Sequence, residues 1–289
     1  MRNRLRFAVP LTLLAVSLAA QQKHAASGML LKIDAPHRTI TVSCREIPGY
    51  MPAMEMPFFI SDTKELNGLR PGIALDFDLI DRNGKPYAEN IRAHPFLSLE
   101  LDPTTAQRLK GVETALALKD PAVPVGKPVP DFLLLDQQNN PVQLSQFTGK
   151  VVAITFMYTR CPFPNYCARL SGNFERLQKR FRPQMGRELI LLNIVIDTAH
   201  DQKLALADYA RQYHADAAGW HFLTGPDEQV RKICRYFDMN YYPDEGLYFH
   251  SFHTAIIGRD SKLVANLEGN EFTAQQLGDL VESVLRQSK

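Results

Sequence analysis

The chain has 289 residues, 45% hydrophobic and 22% charged, with a formal net charge of +2. That length suggests about two domains, and the composition allows a buried core that needs no disulfide scaffold. The near balance of charge leaves no electrostatic footprint for nucleic acid.

Arg2, Arg4 and Arg6 open the chain without an acidic neighbour, residues 7–20 are apolar, and Ser17, Ala19 and Ala20 end the run. A basic start, a short apolar stretch and small residues read as a secretory signal over residues 1–26. The run is shorter than the roughly 20 residues of a spanning helix. It engages a membrane only for export, or as an anchor. The expected location is periplasmic or otherwise extracytoplasmic. Free thiols there are short-lived unless they have a use, so Cys44, Cys161, Cys167 and Cys234 each need a reason.

Residues 27–95 read as all-β. Strand-like runs at 30–34, 38–43, 57–60, 73–80 and 87–92 are divided by Asp34-Ala35-Pro36, Pro48-Gly49, Pro71-Gly72 and Asn83-Gly84. Such short strands predict a small barrel. Cys44, Met51, Met54 and Met56 cluster within it. Met54 and Met56 alternate, so on a strand they share a face. Thioethers are soft ligands that suit Cu(I), and methionines also fill small cores. Residues 96–128 read as a spacer: helical spacing over 104–118, then an extended linker enforced by Pro121, Pro124, Pro128 and Pro130.

Residues 129–289 alternate strands (151–158, 189–196, 220–223, 254–257, 263–266) with helices (168–181, 204–212, 227–237, 272–286). Thr273 is placed to N-cap the last helix. This order predicts an α/β domain with helices on both faces of a central sheet, and the apolar run 151–158 predicts a strand buried on both faces.

Cys161 falls just past that strand and Cys167 at the start of the next helix. Loops after buried strands commonly carry sites, and a helix N-terminus stabilises a thiolate. The spacer Pro162-Phe163-Pro164-Asn165-Tyr166 is wider and stiffer than the two residues typical of dithiol exchange. Such a loop holds two sulfurs around a metal, or closes into a redox or structural disulfide. His250, ahead of an apolar strand, reads by itself more readily as structural than as a ligand, and His253 competes with it. Cys234, at helical spacing with Val230 and Phe237, reads as a buried inert thiol; pairing with Cys44 stays open.

Together, Thr155-Phe156-Met157-Tyr158-Thr159-Arg160-Cys161-Pro162, Cys167, Val195-Ile196-Asp197 with Asp201, and Phe249-His250-Ser251-Phe252-His253-Thr254-Ala255-Ile256-Ile257 resemble the Sco/SenC copper chaperones. The resemblance covers about residues 125–287. Those thioredoxin-like proteins help load copper into cytochrome c oxidase. The resemblance implies a thioredoxin-like fold, copper as the metal, Cys161, Cys167 and His250 as its ligands, and a copper-acceptor protein such as a cytochrome c oxidase subunit as partner. It implies a metallochaperone rather than an enzyme. The family loop has three residues between its cysteines and this one has five.

Residues Ile47-Pro48-Gly49-Tyr50-Met51-Pro52-Ala53-Met54-Glu55-Met56-Pro57-Phe58 resemble the CusF-like copper-binding barrels. This implies Met54 and Met56 as Cu(I) ligands. Cys44 then stands where those proteins carry a histidine, and Met51 at their aromatic position. The competing reading is a thiol–disulfide oxidoreductase that uses Cys161 and Cys167 to reduce acceptor cysteines.

Overall fold

The computed structural model describes residues 23–96 and 122–287, together with the helical positions Thr104, Gln107 and Gly111. Residues 1–22 of the expected leader and most of the helical spacer lie outside the described residues. Among the described residues no helix is long and apolar enough to cross a membrane.

β1 (Lys23–Asp34), β2 (Thr39–Cys44), β3 (Met54–Ile60), β4 (Ala74–Arg82) and β5 (Lys85–His94) close into a barrel in the order β1-β2-β3-β5-β4. The barrel starts earlier than residue 27. Lys23 to Ala26 pair with Ile80 to Phe77 of β4 and so extend the first strand. Side chains alternate across each strand, and Ala26, Leu30, Val42, Phe58, Phe77 and Leu79 fill the interior. Met29 and Leu31 point outward from β1 and join the core of the second domain, which is why this strand is apolar on both faces. At Gly28 a Cβ would lie 2.5 Å from the Ser43 carbonyl oxygen and 2.6 Å from Val42 Cγ1. Glycine lets β2 close over β1 there.

The second domain opens with a short ribbon, β6 (Leu133–Leu135) and β7 (Pro141–Gln143). There follow β8 (Val151–Met157), α1 (Arg169–Arg180), β9 (Leu189–Val195), α2 (Lys203–Gln212), β10 (Trp220–Leu223) and α3 (Asp227–Tyr236). A hairpin of β11 (Tyr241–Asp244) and β12 (Leu247–His250) leads to β13 (His253–Ile257), β14 (Leu263–Glu268) and α4 (Ala274–Arg286). The sheet runs β10-β9-β8-β13-β14, with β8, β9 and β10 parallel and β13 antiparallel to both its neighbours. Every residue of β8 and β9 is buried. Thr273 caps α4 in a reciprocal box with Gln276. This is the expected thioredoxin-like α/β domain behind a small all-β barrel.

The described part of the proline-rich segment is not a continuous extended linker: it turns at Pro124–Lys127, where the Lys127 N–H donates to the Pro124 carbonyl at 3.1 Å and Gly126 takes a positive φ of 85°. Val123, Gly126 and Val129 donate their N–H groups to the carbonyls of Tyr236 (2.9 Å), Leu263 (2.7 Å) and Ser261 (3.0 Å). It is laid along the second domain because its remaining amides find partners there.

The barrel docks on α4. Buried Asp279 accepts from Ser43 Oγ at 2.6 Å and from Arg180 Nη1 at 2.8 Å, while Phe96 meets Phe272 edge-on at 5.5 Å. Replacing Asp279 by Ala leaves a buried hydroxyl and part of a guanidinium unpaired. Asp279→Ala should lower stability by roughly 1–3 kcal/mol and Ser43→Ala by about 1 kcal/mol, read from urea unfolding of the full chain.

Candidate metal centre

Just past β8 the Cys161 amide donates to the Tyr158 carbonyl at 3.3 Å, folding the chain back at the C-terminal end of this central strand. Two carboxylates after β9 brace this turn. Asp201 accepts from the Thr159 N–H (2.8 Å) and hydroxyl (2.5 Å), and Asp197 pairs with Arg160 Nη2 at 2.5 Å. Asp197, His200 and Asp201 bring their ligand-type atoms within 4.8 Å of one another, yet both carboxylates are engaged by the loop. The acids read from the sequence thus position the turn before Cys161.

Pro162 and Pro164 stiffen the loop, and one wide helical turn, Pro164–Ala168, precedes α1 with a kink at Tyr166 (φ −109°, ψ −108°). Asn270 Nδ2 donates to the Asn165 carbonyl at 2.9 Å and fastens the loop from the far side. Cys167 ends up 1% exposed, while Cys161 stays partly open to solvent. Both are free thiols.

His250 closes β12. Its Nδ1 lies 2.7 Å from the Ser251 carbonyl oxygen. That oxygen only accepts, so Nδ1 carries the proton and Nε2 presents a lone pair. Nε2 faces Cys167 Sγ at 3.7 Å. Ser251 is itself held: its N–H donates to the Asn240 carbonyl and its hydroxyl accepts from the Asn240 N–H, both at 2.9 Å. Phe252 (4.7 Å) and Tyr158 (6.0 Å) pack edge-on against the imidazole. His253 turns instead to Asn266 on β14, with Nδ1 3.3 Å from its side-chain oxygen. The fold therefore brings together Cys161, Cys167 and His250.

The two thiols differ sharply. A hydrogen bond from the Cys167 thiol draws Cys161 down to about 6 against the opposing effect of burial, and the Tyr158 hydroxyl adds a further bond. Burial pushes Cys167 well above the usual thiol value, and its bond to Cys161 adds to this. Burial lowers His250 to about 4, so the imidazole is neutral across the physiological range. These shifts favour the thiolate at Cys161, the thiol at Cys167 and the neutral imidazole at His250. Beside it lies a cavity of about 200 Å³ walled by Tyr158, Phe163, Tyr166, Tyr248 and Phe252, with Asp244 and Glu245 at the tip of the β11–β12 hairpin.

In the barrel, Cys44 stands directly opposite Met54 across β2 and β3, and Val42 opposite Met56. Cross-strand partners share a face, so Cys44, Met54 and Met56 all point to the interior side. Cys44 is fully buried, and burial raises its thiol to about 12. Met51 and Met56 pack against the barrel core, and Met54 is 43% exposed at its rim. Cys234 sits in the other core as a free thiol, so the pairing left open with Cys44 does not form.

The sequence reading missed the β11–β12 hairpin that carries His250. Its signal was the Glu245-Gly246 pair, both at positive φ (47° and 81°), the conformation of a two-residue type I′ turn. Tyr158 and Arg160 were quoted only as family residues; their bonds to Cys161 and Asp197 became visible with the fold.

Residues 124–286 match the family model SCO1/SenC, and residues 23–93 match the model of copper binding periplasmic protein CusF. A Stutzerimonas stutzeri protein named for copper binding is 27% identical over 146 residues, covering 49% of this chain and 69% of its own. The mitochondrial SCO2 homologue of Mus musculus is 28% identical over 177 residues, covering 59% of this chain and 64% of its own. A SCO1/SenC family lipoprotein from Bacillus anthracis aligns with TM-score 0.50 and 21% identity, over 57% of this chain and 100% of that structure, which bears out the fold.

Metal binding must strip the protons from its ligands. Above about pH 6 only Cys167 has a proton to lose; below it Cys161 has one too; His250 adds a third only below about 4. As the pH is lowered, Cu(I) affinity of the second domain should therefore fall, roughly tenfold per unit above about pH 6 and about a hundredfold per unit beneath it. Competition with a chromophoric Cu(I) chelator between acid and neutral pH reads the slope.

Proposed function

The chain belongs to the SCO1/SenC family, and from that premise we propose that it is an exported copper chaperone that gives up its metal to an acceptor protein. Its metal is copper, the ligand named by the model that matches residues 23–93 and by the Stutzerimonas stutzeri relative. The observation that carries the reading is the Nε2 lone pair of His250 aimed at Cys167 Sγ from 3.7 Å, with its tautomer held by Ser251. Soft thiolates favour Cu(I) and imidazole accepts either copper state. Cys161, Cys167 and His250 form the ligand set, and the partly open Cys161 is the side from which an acceptor removes the metal. The acceptor belongs to the class of the copper site of cytochrome c oxidase. Cys44, Met51, Met54 and Met56 form a second Cu(I) site in the barrel, making the chain a two-site carrier.

A thiol–disulfide reductase is the second reading, favoured by the lowered Cys161 thiol. In that chemistry the Cys161 thiolate attacks an acceptor disulfide, Cys167 resolves the mixed disulfide, and the acceptor leaves with two thiols. It gives no part to His250. The two readings separate on one variant: His250→Ala should abolish copper binding in the second domain while leaving thiol exchange intact. Measured by Cu(I) titration, the reduced full chain should bind about two equivalents, and His250→Ala or Cys161→Ser about one. Undiminished stoichiometry in both variants contradicts the chaperone assignment.

A further inference from the structure

β1 runs past the end of β2 at the mouth of the barrel. His24, Ala26 and Leu30 share one face of it, with Ala26 and Leu30 in the barrel core. His24 pairs with Leu79 and Gly28 with Cys44, and both of those partners point inward. The His24 imidazole is thus the last inward side chain of β1, on the same face as Cys44 and, across β3, Met54.

Chain geometry closes over that ring. The segment joining Cys44 to Met54 starts by donating the Arg45 N–H to the Ser27 carbonyl at 2.8 Å, so it runs back along β1 toward His24. It then turns at Ile47 and Met51, whose backbones bond each other in both directions at 2.9 and 3.0 Å. Tyr50 lies flat on the imidazole, with centroids 3.8 Å apart and planes 23° apart. Met51 follows it directly in the chain.

Under this lid His24 Nε2 is out of solvent and has no hydrogen-bond partner among the described residues. A buried imidazole nitrogen without a partner carries a desolvation penalty, and such an orphan in a folded protein points to an ion or water. The surroundings are sulfur-rich: Cys44 inside, Met51 and Met56 against the core, Met54 at the rim. Imidazole and soft sulfur ligands together suit Cu(I).

We propose that His24 is a copper ligand of the barrel site, supplying an imidazole from β1 at the mouth where Cys44, Met51 and Met54 lie. This rests on the reading of the barrel as a Cu(I) site. The stack on Tyr50 fixes the ring plane, and Nε2 is buried on the face of β1 that Cys44 shares across β2. The set then mixes one imidazole with thioethers and one thiol.

The test uses the full chain carrying Cys161→Ser, Cys167→Ser and His250→Ala, so that only the barrel site binds, with Cu(I) alone as the probe. This parent should bind one equivalent, and X-ray absorption at the copper edge should show imidazole scattering beside sulfur. His24→Phe keeps a ring on Tyr50 but removes the nitrogen. It should erase the imidazole scattering and weaken Cu(I) binding by roughly tenfold or more, at least the loss seen when an outer-shell partner is removed. Unchanged affinity and spectrum in His24→Phe, with binding abolished in Met54→Leu, overturns the role of His24 and leaves the sulfur site standing. Failure of the parent to bind Cu(I) overturns both.

Discussion

The second domain is organised around one contact, the approach of a neutral imidazole to a buried sulfur. Neither group reaches this arrangement alone. Cys167 is buried by the turn that leads into α1, and His250 arrives from the end of the β11–β12 hairpin, far along the chain. The Ser251 carbonyl fixes the His250 tautomer, and Asn240 fixes Ser251. Burial keeps the ring unprotonated and the Cys167 thiol protonated, so the pair is poised rather than charged. A soft cation that displaces one proton supplies what the site needs electrostatically, because it neutralises a buried thiolate. The outer sulfur, already acidified, offers first contact from solvent.

The two domains are not independent beads. The stretch that leaves β14 and enters α4 bonds to the chain segments that carry both sulfur clusters. Asn270 holds Asn165 inside the cysteine loop, the Glu271 carbonyl accepts from Arg45 next to Cys44 at 3.0 Å, and Gln276 reaches the Ser43 carbonyl at 3.5 Å. Asp279 then secures the barrel to α1 and α4 together through Ser43 and Arg180. The apolar outer face of β1 completes the junction through Met29 and Leu31.

Much of this was legible in the residues. Continuous apolar runs marked β8 and β9 because both their faces are covered, and the alternation of Met54 and Met56 placed them on one face of β3. Cys161 and Cys167 were legible from their place between a buried strand and a helix. Other parts were hidden for physical reasons. β6 and β7 are three residues each and expose Leu133 and Leu135, so no period is long enough to see. The β11–β12 hairpin carries Pro243, Asp244 and Glu245, residues depleted in strands. The prolines before residue 130 did not reveal the turn at Pro124–Lys127, and only the fold shows where the remaining amides bond. The selection of His250 over His253 came from family resemblance. Local pattern could not separate two histidines three residues apart, whereas Asn266 and Cys167 separate them in space.

Copper is expected to occupy the space between Cys161, Cys167 and His250. Anomalous diffraction at the copper edge, from crystals of the copper-loaded chain, tests this most directly. The predicted result is a peak within bonding distance of both sulfurs and His250 Nε2. A second domain with no copper peak there, or with copper on Asp197, His200 and Asp201 instead, would contradict it.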